Sequence, residues 1–314
     1  MEKLITSASP HIHSGASTRR IMLDVIIALL PAAIASAVIF GMRANVILLT
    51  CIVSAVLAEF LFNLITRRQQ TVGDLSAVVT GLLLGLNLST NVPIWQCVIG
   101  SVFAVVVVKG LFGGLGRNFA NPAITARVFM LIAFSSVAGG AMPAVVELEA
   151  SATPLEQLAN GASQLPSLLD MFIGTYGGAI GETCTLALLI GFIYLLVRKV
   201  IRWHIPVVFI GTVFICTLIA SGDFVYALYQ ILGGGLFLGA IFMATDYVTS
   251  PLTRHGQIIY GIGCGVLTVL IRYFGGYSEG VSYAILVMNT CVVLLDRMGR
   301  PTRFGAPRKE AAKK

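Results

Sequence analysis

Ten apolar runs, most of them close to 20 residues long, divide this chain almost from end to end. They fall at about 21–41, 44–65, 73–88, 93–112, 122–138, 181–200, 204–220, 225–246, 256–274 and 280–296. A helix rising about 1.5 Å per residue crosses the hydrocarbon of a bilayer in about 20 residues. None of the runs alternates apolar and polar residues, as a membrane-barrel strand would. Lipid offers the backbone no hydrogen-bond partner, so each run has to satisfy its own polar groups as a helix. The expected fold is an all-α integral membrane protein with about ten transmembrane helices.

Composition agrees. Hydrophobic residues make up 57% of the chain and charged ones 11%, against about a quarter charged in soluble domains. The formal charge of +7 does not point to nucleic acid, because the basic residues sit beside apolar runs and report topology instead. Residues 1–20 are polar and hold no apolar segment of signal-peptide type, so insertion is expected to begin with the first helix. The cysteines, Cys51, Cys97, Cys184, Cys216, Cys264 and Cys291, stand singly in apolar surroundings without CxxC spacing. They read as small buried side chains, and no metal site is expected.

Charge also orients the bundle. With the N-terminus inside, Arg19/Arg20, Arg67/Arg68, Arg117, Arg198/Lys199/Arg202, Arg254 and the basic tail from Arg297 all fall on the cytoplasmic face. Glu147, Glu149, Glu156, Asp170, Asp223 and Glu279 fall on the other, with Arg43 the main exception. An even number of spans leaves both termini in the cytoplasm and the long central loop outside. The expected organisation is a cytoplasmic segment 1–20, five helices over 21–138, an extracytoplasmic loop 139–180, five helices over 181–296 and a basic cytoplasmic tail 297–314.

An internal repeat matches that division. Phe112-Gly113-Gly114 recurs as Phe274-Gly275-Gly276. The offset that carries Phe112 onto Phe274 also aligns the third run with the eighth and the fourth with the ninth. Five helices per half is an odd number, so the two repeats would be inverted in the membrane, a design that places its site between the halves near the midplane. Gly81…Gly85 in the third run and Gly233-Gly234-Gly235 in the eighth mark helices expected to break where protein encloses them.

Together these residues resemble a known family. The resemblance runs through Ser9-Pro10-His11-Ile12-His13, Asp74-Leu75-Ser76-Ala77-Val78-Val79-Thr80-Gly81 and Lys109-Gly110-Leu111-Phe112-Gly113-Gly114-Leu115-Gly116-Arg117-Asn118-Phe119-Ala120-Asn121-Pro122-Ala123. It continues through Gly178-Ala179-Ile180-Gly181-Glu182-Thr183 and Met243-Ala244-Thr245-Asp246-Tyr247-Val248-Thr249-Ser250-Pro251. The chain is similar to the D subunit of the Rnf electron-transport complex and to its relative, the B subunit of the sodium-pumping NADH:quinone reductase. The short segment before the first helix favours the Rnf type.

The resemblance implies a translocase that passes electrons between ferredoxin and NAD and moves Na⁺ or H⁺ across an inner, cytoplasmic membrane. It implies FMN joined through its phosphate to a threonine, and a second, non-covalent flavin such as riboflavin among the helices. Its partners would be the other Rnf subunits, including a second covalent-flavin subunit, and a flavin transferase. The attachment pattern, roughly Asp-x-x-Ser/Thr-Ser/Gly-Ala-Thr, maps the acceptor onto Thr153, preceded by Ser151 and Ala152, while Glu147 and Ala150 depart from it. Pro154 favours an extended backbone at Thr153. The same Thr-Pro pair is also what a helix start looks like, with threonine as cap and proline in first position.

Acidic residues in or near apolar runs are costly and often functional. Asp24, Glu59, Glu182 and Asp246 are therefore candidates for an ion path or the second flavin, with structural pairing of Asp24 to Arg19/Arg20 as the plainer reading. Asn121-Pro122 opens either a broken helix facing a ligand or a tight loop before the fifth helix. His11 and His13 read equally as contacts to a partner subunit. No residue stands out as catalytic, and alone the chain is expected to turn nothing over. Competing readings are the quinone-reductase subunit and a urea- or ammonia-type channel.

Overall fold

The computed structural model describes residues 17–134, 153–159, 165–275 and 280–298. Ser151, Ala152, Glu147, Ala150, His11 and His13 lie outside the described residues, as do Gly276 and Glu279. Every apolar run of the sequence coincides with a helix. The first half holds α1 (Thr18–Phe40), α2 (Met42–Ile65), α3 (Ser76–Leu86), α4 (Ile94–Gly110) and α5 (Pro122–Ala133). Two short helices, α6 (Pro154–Ala159) and α7 (Leu168–Ile173), follow in the connection. The second half holds α8 (Thr185–Val197), α9 (His204–Ser221), α10 (Phe224–Leu232), α11 (Leu236–Met243), α12 (Arg254–Phe274) and α13 (Val281–Met298). No strand occurs among the described residues.

Local chemistry sets the helix ends. Ser17 caps α1 by accepting from the Arg20 N–H at 3.3 Å. Gly41, at φ 70°, turns α1 directly into α2 with no further linker. Asn121 caps α5 through the N–H groups of Ala123 and Ile124, and Pro122 takes the first position, where its missing N–H costs nothing. Thr253 caps α12 in the same manner.

The surface is inside out relative to a soluble protein. Ile34, Val38, Leu49, Ile65 and Ile219 point outward, Ile219 at 79% exposure, while Glu59, Lys109, Arg127 and Glu182 are buried. That distribution suits a lipid exterior. By length and composition α1, α2, α9 and α12 can each cross a membrane. The pair α10–α11 can cross as one span, bent by 63° at Gly233-Gly234-Gly235, where the sequence predicts a break. The helices α3, α4, α5 and α8 are shorter, 10–17 residues. The chain is a multi-pass helical membrane protein.

The two halves correspond in helix position. Under the offset that carries Phe112 onto Phe274, Met42 at the start of α2 falls on His204 at the start of α9. By the same shift α4 and α5 fall on α12 and α13. Helices related in this way also meet across the middle: α1 packs on α8 and α5 on α13.

Candidate functional site

The residues of chemical interest gather where the halves meet. At the centre Arg127 of α5 forms an ion pair with Glu182 at 3.3 Å, both side chains almost wholly buried. The same guanidinium donates to the side-chain oxygen of Asn87, just past α3. Asn87 in turn donates to the Leu83 carbonyl at 2.7 Å and to the Met243 sulfur at 3.4 Å. Asn121 donates to the Met243 carbonyl at 3.2 Å, so Asn87 and Asn121 of the first half both reach the end of α11 in the second. The connection before α8 lies on the end of α3, with Ile180 N–H donating to Leu88 and Gly181 N–H to Leu86, at 2.9 and 2.7 Å.

Gly234, at φ 68°, turns the chain here, and Gly235 keeps the space beside it open. A Cβ there would stand 2.9 Å from the Glu182 Oε2 and 3.4 Å from an Arg127 nitrogen. The glycine run therefore does two things: it breaks the helix, and it lets backbone approach a buried charge pair that any larger residue would part.

A matching polar cluster occupies the other half. With its amide oriented to satisfy both ends, Asn289 of α13 donates to Tyr260 Oη at 2.7 Å and to the Thr249 carbonyl at 3.1 Å, and accepts from the Asn121 N–H at 3.2 Å. The offset between the halves carries Arg127 onto Asn289 and Asn87 onto Thr249. Each half thus joins the same helix position to the same connection, once through arginine and once through asparagine.

A second buried ion pair lies towards the basic end. Lys109, near the end of α4, donates to Glu59 Oε1 at 2.7 Å and to Ser76 Oγ at 2.6 Å. Thr71 also donates to Glu59 Oε1, at 2.7 Å, and Asn63 to Thr71 at 3.0 Å. The Ser76 hydroxyl donates onward to Asp74, which anchors the start of α3. Arg68 closes this end by donating to the Gly110 carbonyl at 3.0 Å.

Beside this network a cavity of about 90 Å³ opens between the halves. Val25, Val79, Leu83 and Phe242 supply apolar wall, and Ser76, Lys109, Asn118, Asn121 and Asp246 bring polar groups to it. Asp246 accepts from the Thr249 hydroxyl at 3.0 Å, and Tyr247 donates to the Val200 carbonyl.

The structure sorts the sequence candidates. Asn121 and Asp246 share the cavity, and Glu59 reaches it through Lys109. Glu182 lies outside the α8 helix, in the connection before it, and pairs with Arg127. Asp24 finds a partner in the second half of the chain. It binds Arg198 and Tyr194 of α8, at 3.3 and 2.9 Å, because the two halves bring α8 against α1. Asn121-Pro122 begins α5 as a capped helix whose cap also bonds across the halves. Lys109 and Arg127 escape a sequence reading that weighs only acidic residues inside apolar runs. A lone cation in such a run carries the same signal.

Thr153 is 7% exposed, and its hydroxyl accepts from the Glu156 N–H at 3.3 Å, so it caps α6. Leu155 is buried against Gly233, which seats α6 on the end of α10. Further along the connection, Ser167 caps α7 and, with Thr175, donates to Asp170. These hydroxyls hold the Asp170 carboxyl below its usual range.

A helix bent beside a buried ion pair, with a cavity between two corresponding halves, defines a multi-pass membrane protein with a polar interior. Its family follows from comparison. The model of the NQR2, RnfD, RnfE family matches residues 5–305, and the chain belongs to that family. It is similar to the D subunit of the Na⁺-translocating ferredoxin:NAD⁺ oxidoreductase complex of Acetobacterium woodii, with 45% identity over 98% of each chain. It is similar also to the proton-translocating counterpart of Clostridium ljungdahlii, 40% identical over 96% of each. The D subunit of the ion-translocating oxidoreductase complex of Cronobacter sakazakii is 36% identical, over 95% of this chain and 98% of that one.

Proposed function

We propose that this chain is the flavin-carrying membrane subunit of an Rnf-type complex, relaying electrons between ferredoxin and NAD while Na⁺ or H⁺ crosses the membrane. The carrying observation is similarity over nearly the whole length to proteins named as the D subunits of such complexes. In this reading the chain forms ten spans in two inverted five-helix repeats. Its basic end and both termini face the cytoplasm, and the segment bearing Thr153 faces outward. The common offset between the halves and the pairing of α1 with α8 and α5 with α13 support it.

FMN is attached at Thr153. An esterified oxygen can still accept the Glu156 N–H, so the cap and the modification are compatible. A second, non-covalent flavin such as riboflavin occupies the cavity between the halves. Its walls are apolar, as a ring system requires, and its polar groups can meet the edges of that ring. Ser76, Lys109, Asn118 and Asn121 would hold that edge. A bound flavin supplies one- and two-electron transfer, and the protein sets its position, its potential and its access to water. The two buried ion pairs keep their charges matched in a low-dielectric interior, so neither leaves an uncompensated charge beside the electron path. Ferredoxin and NAD would be handled by the other Rnf subunits.

Flavin fluorescence on a denaturing gel tests the central claim. Wild type and Thr153→Ala are purified after co-expression with a flavin transferase. The reading requires a fluorescent wild-type band that vanishes in the variant. A dark wild-type band, beside a fluorescent control acceptor, would sink it and leave a channel function in front. Flavin released from Thr153→Ala on denaturation would report the second site separately.

A further inference from the structure

We propose that the basic end of the bundle carries a binding site for the headgroup of an anionic glycerophospholipid of phosphatidylglycerol type. A cavity of about 320 Å³ lies between the connection leading into α9 and the connection leading into α12. Lys199 and Arg202 line it from one side, Tyr247, Ser250 and Leu252 from the other, and Ile205 and Gln257 from the first turns of the two helices. It carries two cations and no carboxylate. The nearby carboxylates are engaged elsewhere: Asp296 accepts from the Leu252 N–H at 2.9 Å, and Asp246 from Thr249.

Three features point to a phosphate bearing a hydroxylated headgroup. The first is the cation pair, which suits a phosphodiester at the edge of a membrane. Lys199 stands at φ 57° in the turn that follows α8 and lines the cavity beside Arg202. The second is Gln257. Its amide N–H donates to the Pro251 carbonyl at 3.0 Å, while its Oε1 is buried without a donor among the described residues. A glycerol hydroxyl supplies the missing donor, and the quaternary ammonium of choline does not. The third is the surround. Trp203 and Tyr247 are half-exposed beside the cations, as aromatic residues are at a membrane interface. One step further along α9 and α12, Val207, Ile258 and Ile262 face outward, a path for an acyl chain. The site stands independently of the flavin reading.

Native mass spectrometry of the full chain, extracted in mild detergent and exchanged into phosphatidylglycerol or phosphatidylcholine, tests the proposal. Wild type should keep one phosphatidylglycerol per chain and shed phosphatidylcholine. Lys199→Gln/Arg202→Gln should lower retention about 10-fold or more, equivalent to about 1.4 kcal/mol. Arg19→Gln/Arg117→Gln removes the same charge outside the cavity and should keep the lipid. Gln257→Met preserves length and charge and should weaken phosphatidylglycerol alone, so it carries the test if the double variant aggregates. Retention unchanged in both cavity variants, equal loss in the control pair, or equal retention of phosphatidylcholine overturns the proposal. So does an adduct of inorganic phosphate without lipid, which would mark a free-anion site.

Discussion

Gly81 and Gly211 offer a matched pair for testing how closely the halves are built. Both sit inside helices, α3 and α9, so replacement by alanine gains the same intrinsic helix preference, about 1 kcal/mol in aqueous scales. Their surroundings differ. A Cβ at Gly211 meets nothing within 4 Å. At Gly81 it would lie 2.6 Å from the Cys51 carbonyl oxygen and 2.8 Å from the Ile52 Cα, both backbone atoms of α2. Backbone cannot rotate away as a side chain can, so α2 and α3 must separate. Overpacking of this kind costs about 1–3 kcal/mol, and the shared helix gain cancels between the two variants. Gly81→Ala should therefore be less stable than Gly211→Ala by about 1–3 kcal/mol. Unfolding of the purified proteins in mixed micelles by titrated sodium dodecyl sulfate measures the difference. Equal stability would refute the close approach of α2 and α3.

Other outcomes follow from the buried charges and caps. Lys109→Met leaves Glu59 charged and buried and should cost about 3–5 kcal/mol in the same titration, with Glu59→Gln/Lys109→Met recovering most of it. Asn121→Ala removes the α5 cap and the bond to Met243, an expected loss of about 1–2 kcal/mol visible as a lower melting temperature. Asp170 has its carboxyl held down by Ser167 and Thr175. Its contribution is complete above the unfolded aspartate value of about 3.9 and is lost as pH falls through the lower folded value. Asp170→Asn should flatten that acid limb when melting temperature is followed against pH.

The sequence makes the helices plain because lipid forces long apolar runs to be helical, and it locates the break in α10–α11 because three glycines in an apolar run have few other uses. It does not name the partner of Asp24. Proximity in the chain favours Arg19 and Arg20, whereas the packing of α8 on α1 presents Arg198, 174 residues away. Glu182 looks like part of a span because Gly181 and Thr183 read as apolar continuation; in the structure the backbone beside it instead pairs with the end of α3. Lys109 and Arg127 stay hidden while buried cations are not weighed as buried acids are. Asn289 offers no local signal at all. Its role appears only when Arg127, at the equivalent position of the other half, is seen with its own partner.

The burial of Thr153 sets an order of events. A hydroxyl that is buried and spent on capping α6 offers little approach to an enzyme large enough to carry a nucleotide. On the reading proposed above, the flavin is attached while this stretch is still extended, and the docking of Leu155 against Gly233 comes afterwards. Maturation would then run in one direction: the chain is modified first, the short helix folds over the tether second, and the finished protein no longer presents its acceptor to the transferase that made it.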